Sequence, residues 1–327
     1  MLEMRRDDPS QETAGKLKLR DRATKEVEKD SAVPAFSMSA QRLLEVSSQE
    51  NVDMGEIADI VGVDPGLASK YLRLANSSFY GGKSIANVED ALLRIGLAEV
   101  RKVAISVAVM DGTSCFRESE VVSAINVNVK IDWNMFWLHS LFVARLTDIL
   151  AHVYRRTSGK EYLAGLLHDV GKLFFERHFT HEFESAMLRA IERNNGLYDA
   201  ERHLFDFNHA EMGFALCEKW KLHREICRAV RFHHEPNSPF NKDPVDPDFQ
   251  HFLAICICVA DDLANLCRAN IQGGQNVEGM EFETLPGWKL LQDYTPRGEL
   301  DLDPMAELER TQETLKVMLG GGPPKQD

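Results

Sequence analysis

From Val33 onward the apolar residues return every three or four positions, and no sustained two-residue alternation interrupts them. That spacing lines apolar side chains along one stripe of a helix, whereas a half-buried strand needs period two. Leu43, Leu44 and Val46 show it first, then Ile57, Ile60 and Val61, then Leu67, Tyr71, Leu72 and Leu74. The chain is therefore expected to be all-α. Helix punctuation agrees. Asp64-Pro65 is an N-cap followed by proline at the first helical position, and Asn76-Ser77-Ser78 with Gly81-Gly82 closes that helix. Asn87 caps a short helix ending at Gly96, and another runs from about Leu97 to Met110.

Residues 111–130 are only weakly periodic. Beyond them, helices are expected at Trp133–Tyr154, Lys160–His168, 181–194, 209–218, 222–234 and 249–270. The stretch 271–300 reads as loop. Asp303-Pro304 then opens a last helix with Leu308, Leu315 and Leu319 on one side. Residues 1–30 carry eight basic and eight acidic side chains and almost no large apolar ones, too little to offset the entropy of ordering them. The organisation expected is a polar disordered arm at 1–30, an N-terminal helical subdomain at 31–125, a helical bundle at 126–270, and a loop with a C-terminal helix at 271–327.

Charge and cysteine usage narrow the function. The 327-residue chain has 38 Lys+Arg against 51 Asp+Glu, a formal net charge of −13. Broad non-specific binding to nucleic acid needs the opposite balance. No run approaches the ~20 apolar residues of a membrane helix, and the N-terminus shows no apolar secretory core. The six cysteines form no CxxC pair and read as reduced thiols, so a cytoplasmic location is expected.

The chain also has eleven histidines. The richest segment is Leu163-Ala164-Gly165-Leu166-Leu167-His168-Asp169-Val170-Gly171-Lys172-Leu173, an apolar helix ending in adjacent His and Asp, with a glycine that lets the backbone turn. Around it lie His139, His209, His233-His234 and Asp261-Asp262, each on or beside an expected helix with apolar neighbours. Imidazole nitrogens and carboxylate oxygens together suit divalent Fe, Mn, Zn or Mg, and a helical bundle can gather them from separate helices. His152, His178, His181, His203, His223 and His251 read as surface or core residues.

This order of residues resembles the HD-domain metal-dependent phosphohydrolases: His139, then His168-Asp169, then Asp261. The HD-GYP branch adds a lysine three residues after the Asp, a lone His and a His-His pair, matched here by Lys172, His209 and His233-His234. The resemblance implies one metal on His139, His168, Asp169 and Asp261. A second would share Asp169 and add His209, His233 and His234. Fe or Mn is favoured over Zn or Mg. Asp169 and Lys172 would be the catalytic pair: Asp169 bridges the ions, and Lys172 faces a substrate phosphate. Two such cations lower the pKa of a shared water enough for hydroxide to attack phosphorus. Glu235 could orient a ligand histidine. After His234 the chain reads Glu235-Pro236-Asn237-Ser238-Pro239 rather than Gly-Tyr-Pro, and Met135 stands where a third metal would need a carboxylate.

A narrower resemblance covers about residues 33–270. Asp64-Pro65-Gly66-Leu67-Ala68, Leu72 to Ser77, Ala91 to Gly96, and His209-Ala210-Glu211-Met212-Gly213 with Trp220 are similar to the HDOD domain. That family places a helical subdomain before an HD-like multi-helix bundle and is regarded as bacterial, signalling or regulatory. The function this implies is a signal-transduction or regulatory module with a metal-binding HD centre. The alternative is an active metal-dependent phosphohydrolase, a phosphodiesterase acting on a nucleotide or signalling phosphoester. Partners implied are other signalling proteins or a nucleotide second messenger, and a homodimer is admitted. A rival class rests on residues 54–76, whose rhythm suggests helix-turn-helix. Its second helix offers only Lys70 and Arg73, so DNA is not an expected partner. The last helix either covers the bundle or meets a partner.

Overall fold

A computed structural model describes residues 19–28, 42, 46, 53–77, 79–117, 131–241, 251–267 and 284–319. Every regular element among them is helical. The boundaries expected near 30, 125 and 270, and the positions of Leu43 and Leu44, lie outside the described residues. No described helix is long and apolar enough to cross a membrane.

Helix α1 spans residues 19–28 and corrects the expected arm for those positions. Ala23 and Val27, one turn apart, are buried. Arg22 lies over the Phe179 ring at 4.4 Å, donates to the His178 carbonyl at 2.8 Å and pairs with Glu182 at 3.1 Å. Two small apolar residues and an arginine with partners more than 150 positions away leave no local trace in composition.

Helices α2 (Met54–Gly62), α3 (Pro65–Ala75) and α4 (Val88–Ile95) pack on one another, and α5 (Leu97–Gly112) follows against α4. Their ends follow the capping residues. Asp64 accepts from Gly66 and Leu67 N–H, and Asn87 accepts from Asp90 N–H. Gly96, at φ 85°, turns the chain from α4 into α5 through backbone space that side chains rarely adopt. Asn76 closes the loop after α3: its amide donates to Leu72 and Ile85 carbonyls and accepts from Ile85 N–H. The supposed recognition helix α3 buries Leu67, Tyr71 and Leu74, and its Lys70 pairs with Asp111 at 3.5 Å.

The second half is a bundle around α6 (Trp133–Tyr154), which packs on α7 (Lys160–Leu167) and α13 (Phe252–Leu266). Between these two run α8 (Val170–His178), α9 (Thr180–Arg193), α10 (Leu197–Phe205), α11 (His209–Lys219) and α12 (Arg224–Phe232). The sequence reading missed α8 and α10, each only nine residues long. The stretch 271–300 holds α14 (Pro286–Leu291), seated on α13 through buried Leu285 and Leu291. Helix α15 (Pro304–Met318) covers α6 and reaches α3. Its inner face is Leu308, Thr311, Leu315 and Met318, whereas Leu319 is 47% exposed, because the helix has ended before it.

Arg145 on α6 joins the two halves and the C-terminal helix. It is 3% exposed, donates to Glu307 of α15 at 2.9 Å and pairs closely with Glu99 of α5. Burial raises the Glu99 carboxyl, but the Arg145 charge outweighs it and holds Glu99 below the usual range. Arg145→Ala strands two largely buried carboxylates and is expected to cost about 3–5 kcal/mol in urea unfolding. Because the Glu99 pKa is depressed, its contribution is present above the unfolded value near ~4.3 and fades as pH falls through the lower folded value. The urea midpoint should therefore drop more between pH 6 and pH 3 in the parent than in Glu99→Gln.

Candidate metal centre

Five elements converge on one buried point. α6 brings His139, and the α7–α8 junction brings His168 and Asp169. α11 opens at His209, α12 ends into His233 and His234, and α13 carries Asp261. Apart from His234 and Asp261, which keep partial exposure, these residues are buried. A glycine contact makes the convergence possible. A Cβ on Gly171 would lie 1.9 Å from the His209 carbonyl oxygen and 2.8 Å from Gly213 N. Gly171 has no positive φ, so its role is not the turn expected from the sequence. It lets α8 touch α11 backbone to backbone, which sets Asp169 against His209.

Asp169 faces both ways. Its Oδ2 is 3.3 Å from His168 Nε2 and 3.7 Å from His139 Nε2. Its Oδ1 is 3.2 Å from His209 Nε2 and 3.9 Å from His233 Nε2. On the first side His139 and His168 approach to 3.2 Å between Nε2 atoms, and Asp261 Oδ1 is 3.1 Å from His139. On the second, His209 and His234 approach to 2.9 Å, again through Nε2. Donor atoms of Asp169, His209, His233 and His234 all lie within 4.8 Å of one another, as do those of His139, His168 and Asp169.

The outer ring nitrogens explain why Nε2 atoms meet. His168 Nδ1 lies 2.7 Å from the Gly165 carbonyl, and His233 Nδ1 lies 2.7 Å from the Val230 carbonyl. A carbonyl only accepts, so both Nδ1 atoms donate and both Nε2 atoms face the centre. Buried His233 Nε2 and Asp169 Oδ1 have no hydrogen-bond partner. Such atoms cost energy unless something electropositive meets them. A divalent cation fits both sets: imidazole nitrogen and carboxylate oxygen are its ordinary donors.

The electrostatics point the same way. Burial disfavours a charged His209, but Glu201 and Asp169 outweigh it and push its pKa up to about 9. Glu201 is wholly buried and accepts from His209 N–H at 2.8 Å and from Nδ1 at 2.7 Å. Burial, then His168 and His209, push His233 down to about 3. Burial raises Asp169, yet His168 and Lys172 hold it well below the carboxylate range. Lys172 Nζ sits 2.5 Å from Asp169 Oδ2, and burial is likewise outweighed by Asp169 and Asp261, which raise its pKa. Positive charge is thus favoured on His209 itself, whereas the neighbouring His233 stays neutral.

Sequence reasoning missed Glu201, Tyr198, Arg202 and Asn265. Asn265 donates to Asp261 Oδ1 at 3.1 Å, and the Tyr198 ring lies 4.5 Å from that of His234. Glu201, Tyr198 and Arg202 sit on the unexpected helix α10; Asn265, one turn after Asp261 on the expected helix α13, was legible from i,i+4 spacing alone. Glu235 does not orient a histidine. It pairs with Arg202, because its position just past α12 faces outward to α10. None of the six remaining histidines joins the cluster; His223 caps α12, and His178 packs on Phe174. A cleft of about 520 Å³ opens onto the centre, floored by Asp169, Lys172 and His209, with Phe183, Met187 and Leu197 along one wall.

The HDOD domain model matches residues 33–236. A Geobacter sulfurreducens HDOD domain protein of unknown function superposes with a TM-score of 0.69, at 24% identity, over 94% of this chain and 99% of that one. A provisionally named phosphohydrolase of Shewanella amazonensis SB2B superposes at 0.60, with 18% identity, over 92% and 98%. An uncharacterised Treponema pallidum protein is 24% identical over 215 residues, which are 65% of this chain and 39% of the relative. The chain therefore spans well under half of that curated relative.

The glycine contact is testable. Gly171→Ala forces α8 and α11 apart and is expected to lower stability by about 1–3 kcal/mol or more in urea unfolding. Gly62→Ala, where a Cβ meets nothing within 4 Å, is the control and should not destabilise.

Proposed function

The chain belongs to the HDOD family, and from that premise we propose that its HD half is a dinuclear, metal-dependent phosphohydrolase centre acting on a nucleotide or signalling phosphoester. The observation that carries this reading is Asp169, whose two oxygens address two separate histidine sets. One ion would be held by His139, His168, Asp169 and Asp261, and the other by Asp169, His209, His233 and His234. Nitrogen-rich donors argue against Mg, and the two carboxylates favour Fe or Mn over Zn. Two divalent cations there supply positive charge to phosphoryl oxygens and make a nearby water more acidic.

The chain's own residues do the rest. Asp169 keeps its charge in a buried position because His168 and Lys172 hold its pKa low. Lys172 stands on the cleft floor beside it, placed to offset the negative charge that develops on a phosphate. Glu201 fixes the His209 ring so that Nδ1–H donates outward and Nε2 points to the centre. Phe183, Met187 and Leu197 offer apolar surface within the same cleft. A signalling role follows from the family resemblance, with the phosphoester as the message.

Metal analysis with hydrolysis of bis(p-nitrophenyl) phosphate in Mn(II) or Fe(II) tests the reading. The expected result is two equivalents of metal and turnover abolished in Asp169→Ala. Metal without turnover on any phosphodiester would assign a regulatory metal centre instead. Absence of metal would remove the ligand assignment. Glu201→Gln should weaken metal binding about 10- to 100-fold, as loss of a ligand-orienting partner does. Since a proton competes for His209, metal affinity should rise from pH 6 to pH 8, with proton release measurable by calorimetry in buffers of different ionisation heat.

A further inference from the structure

One cation in the cleft is not used by the centre. Arg202 stands one helical turn after Tyr198 on α10, its guanidinium 5.5 Å from the centroid of that ring and ion-paired with Glu235. Tyr198, Arg202 and Glu235 all line the cleft that holds Asp169 and Lys172. The two basic groups differ in setting. Lys172 is 14% exposed and held against Asp169 at the floor. Arg202 is 54% exposed and Glu235 46%, so their pair belongs to the cleft's outer part. An ion pair with that exposure contributes only about 0–1 kcal/mol, and a competing anion can displace it. Phosphate is a strong competitor, because it offers the planar guanidinium a bidentate, doubly charged partner.

Lys172 and Arg202 thus present cationic groups at two levels of exposure in one cleft, and a molecule with two anionic groups can engage both. The cleft's volume of about 520 Å³ suits a nucleotide-sized ligand. Phe183, Met187 and Leu197 offer an apolar wall to its uncharged part.

We infer that Arg202 binds a second phosphate, and that the cleft selects phosphoesters carrying two phosphates over those carrying one. The inference rests on the phosphate-directed centre proposed above. Arg202 is a specificity residue: the second phosphate takes it from Glu235, which acts as a competing internal anion.

Calorimetric titration of the Mn(II)-supplemented protein with adenosine 5′-monophosphate and adenosine 3′,5′-bisphosphate tests it, since the two differ by one phosphate. The bisphosphate is expected to bind about tenfold more tightly, a difference of ~1.4 kcal/mol. Arg202→Gln should erase that preference and leave monophosphate affinity within about twofold, as expected when an exposed pair is broken. Glu235→Gln should widen the preference by up to about fivefold, the upper worth of such a pair. Equal binding of both nucleotides by the parent, no binding of either, or a preference that survives Arg202→Gln would overturn the inference. Turnover is a separate readout. A chain with the preference but no hydrolysis keeps this inference and loses the enzyme; hydrolysis without the preference does the reverse.

Discussion

The centre depends on a backbone-to-backbone contact between α8 and α11. α8 meets α11 where Gly171 faces the His209 carbonyl at a distance that no Cβ permits. That contact brings the α7–α8 junction, with His168 and Asp169, onto the helix start at His209. α12 then packs on α11 and α7, and α13 on α6, so the remaining histidines and Asp261 arrive by ordinary helix packing. A side chain at position 171 would hold the helices apart by about the width of a methyl group. The two histidine sets would no longer share one carboxylate.

The buried charges are compensated in layers. Asp169 lies among His168, His209 and Lys172, each within 3.3 Å. Behind them stand groups that set which ring nitrogen faces inward: Glu201 for His209, the Gly165 carbonyl for His168, and the Val230 carbonyl for His233. Buried charges are costly unless paired, and a half-satisfied cluster costs more than an apolar core. The buried His233 Nε2, which has no hydrogen-bond partner, is therefore the informative atom, because compensation by protein groups does not reach it. The overall charge of −13 reads differently in this light, since two of its carboxylates lie where cations would neutralise them.

Legibility in the sequence followed the physical range of each signal. Helices with several turns and a high apolar content, such as α6 and α13, were visible from their length and apolar recurrence, and Asp64, Asn87 and Asp303 announced helix starts through local capping. Helices α8 and α10 were not visible, because nine residues hold too few turns for a period to stand out. α1 was hidden for another reason: its burial consists of Ala23, Val27 and an arginine on a distant ring. Leu319 was assigned to the wrong side because periodicity carries past the point where a helix stops.

By itself, the sequence determined the all-helical class, most helix starts, and the order of His and Asp residues along the chain. Those are local or ordered properties, encoded in spacing and capping. Tertiary structure alone decided that Asp169 stands between two histidine sets, that Gly171 serves a helix crossing rather than a turn, and that Glu201, not Glu235, holds a histidine. Each of these depends on which backbone lies within a few ångströms of which. That distance is set by packing of helices far apart in the chain, and no spacing along the chain records it.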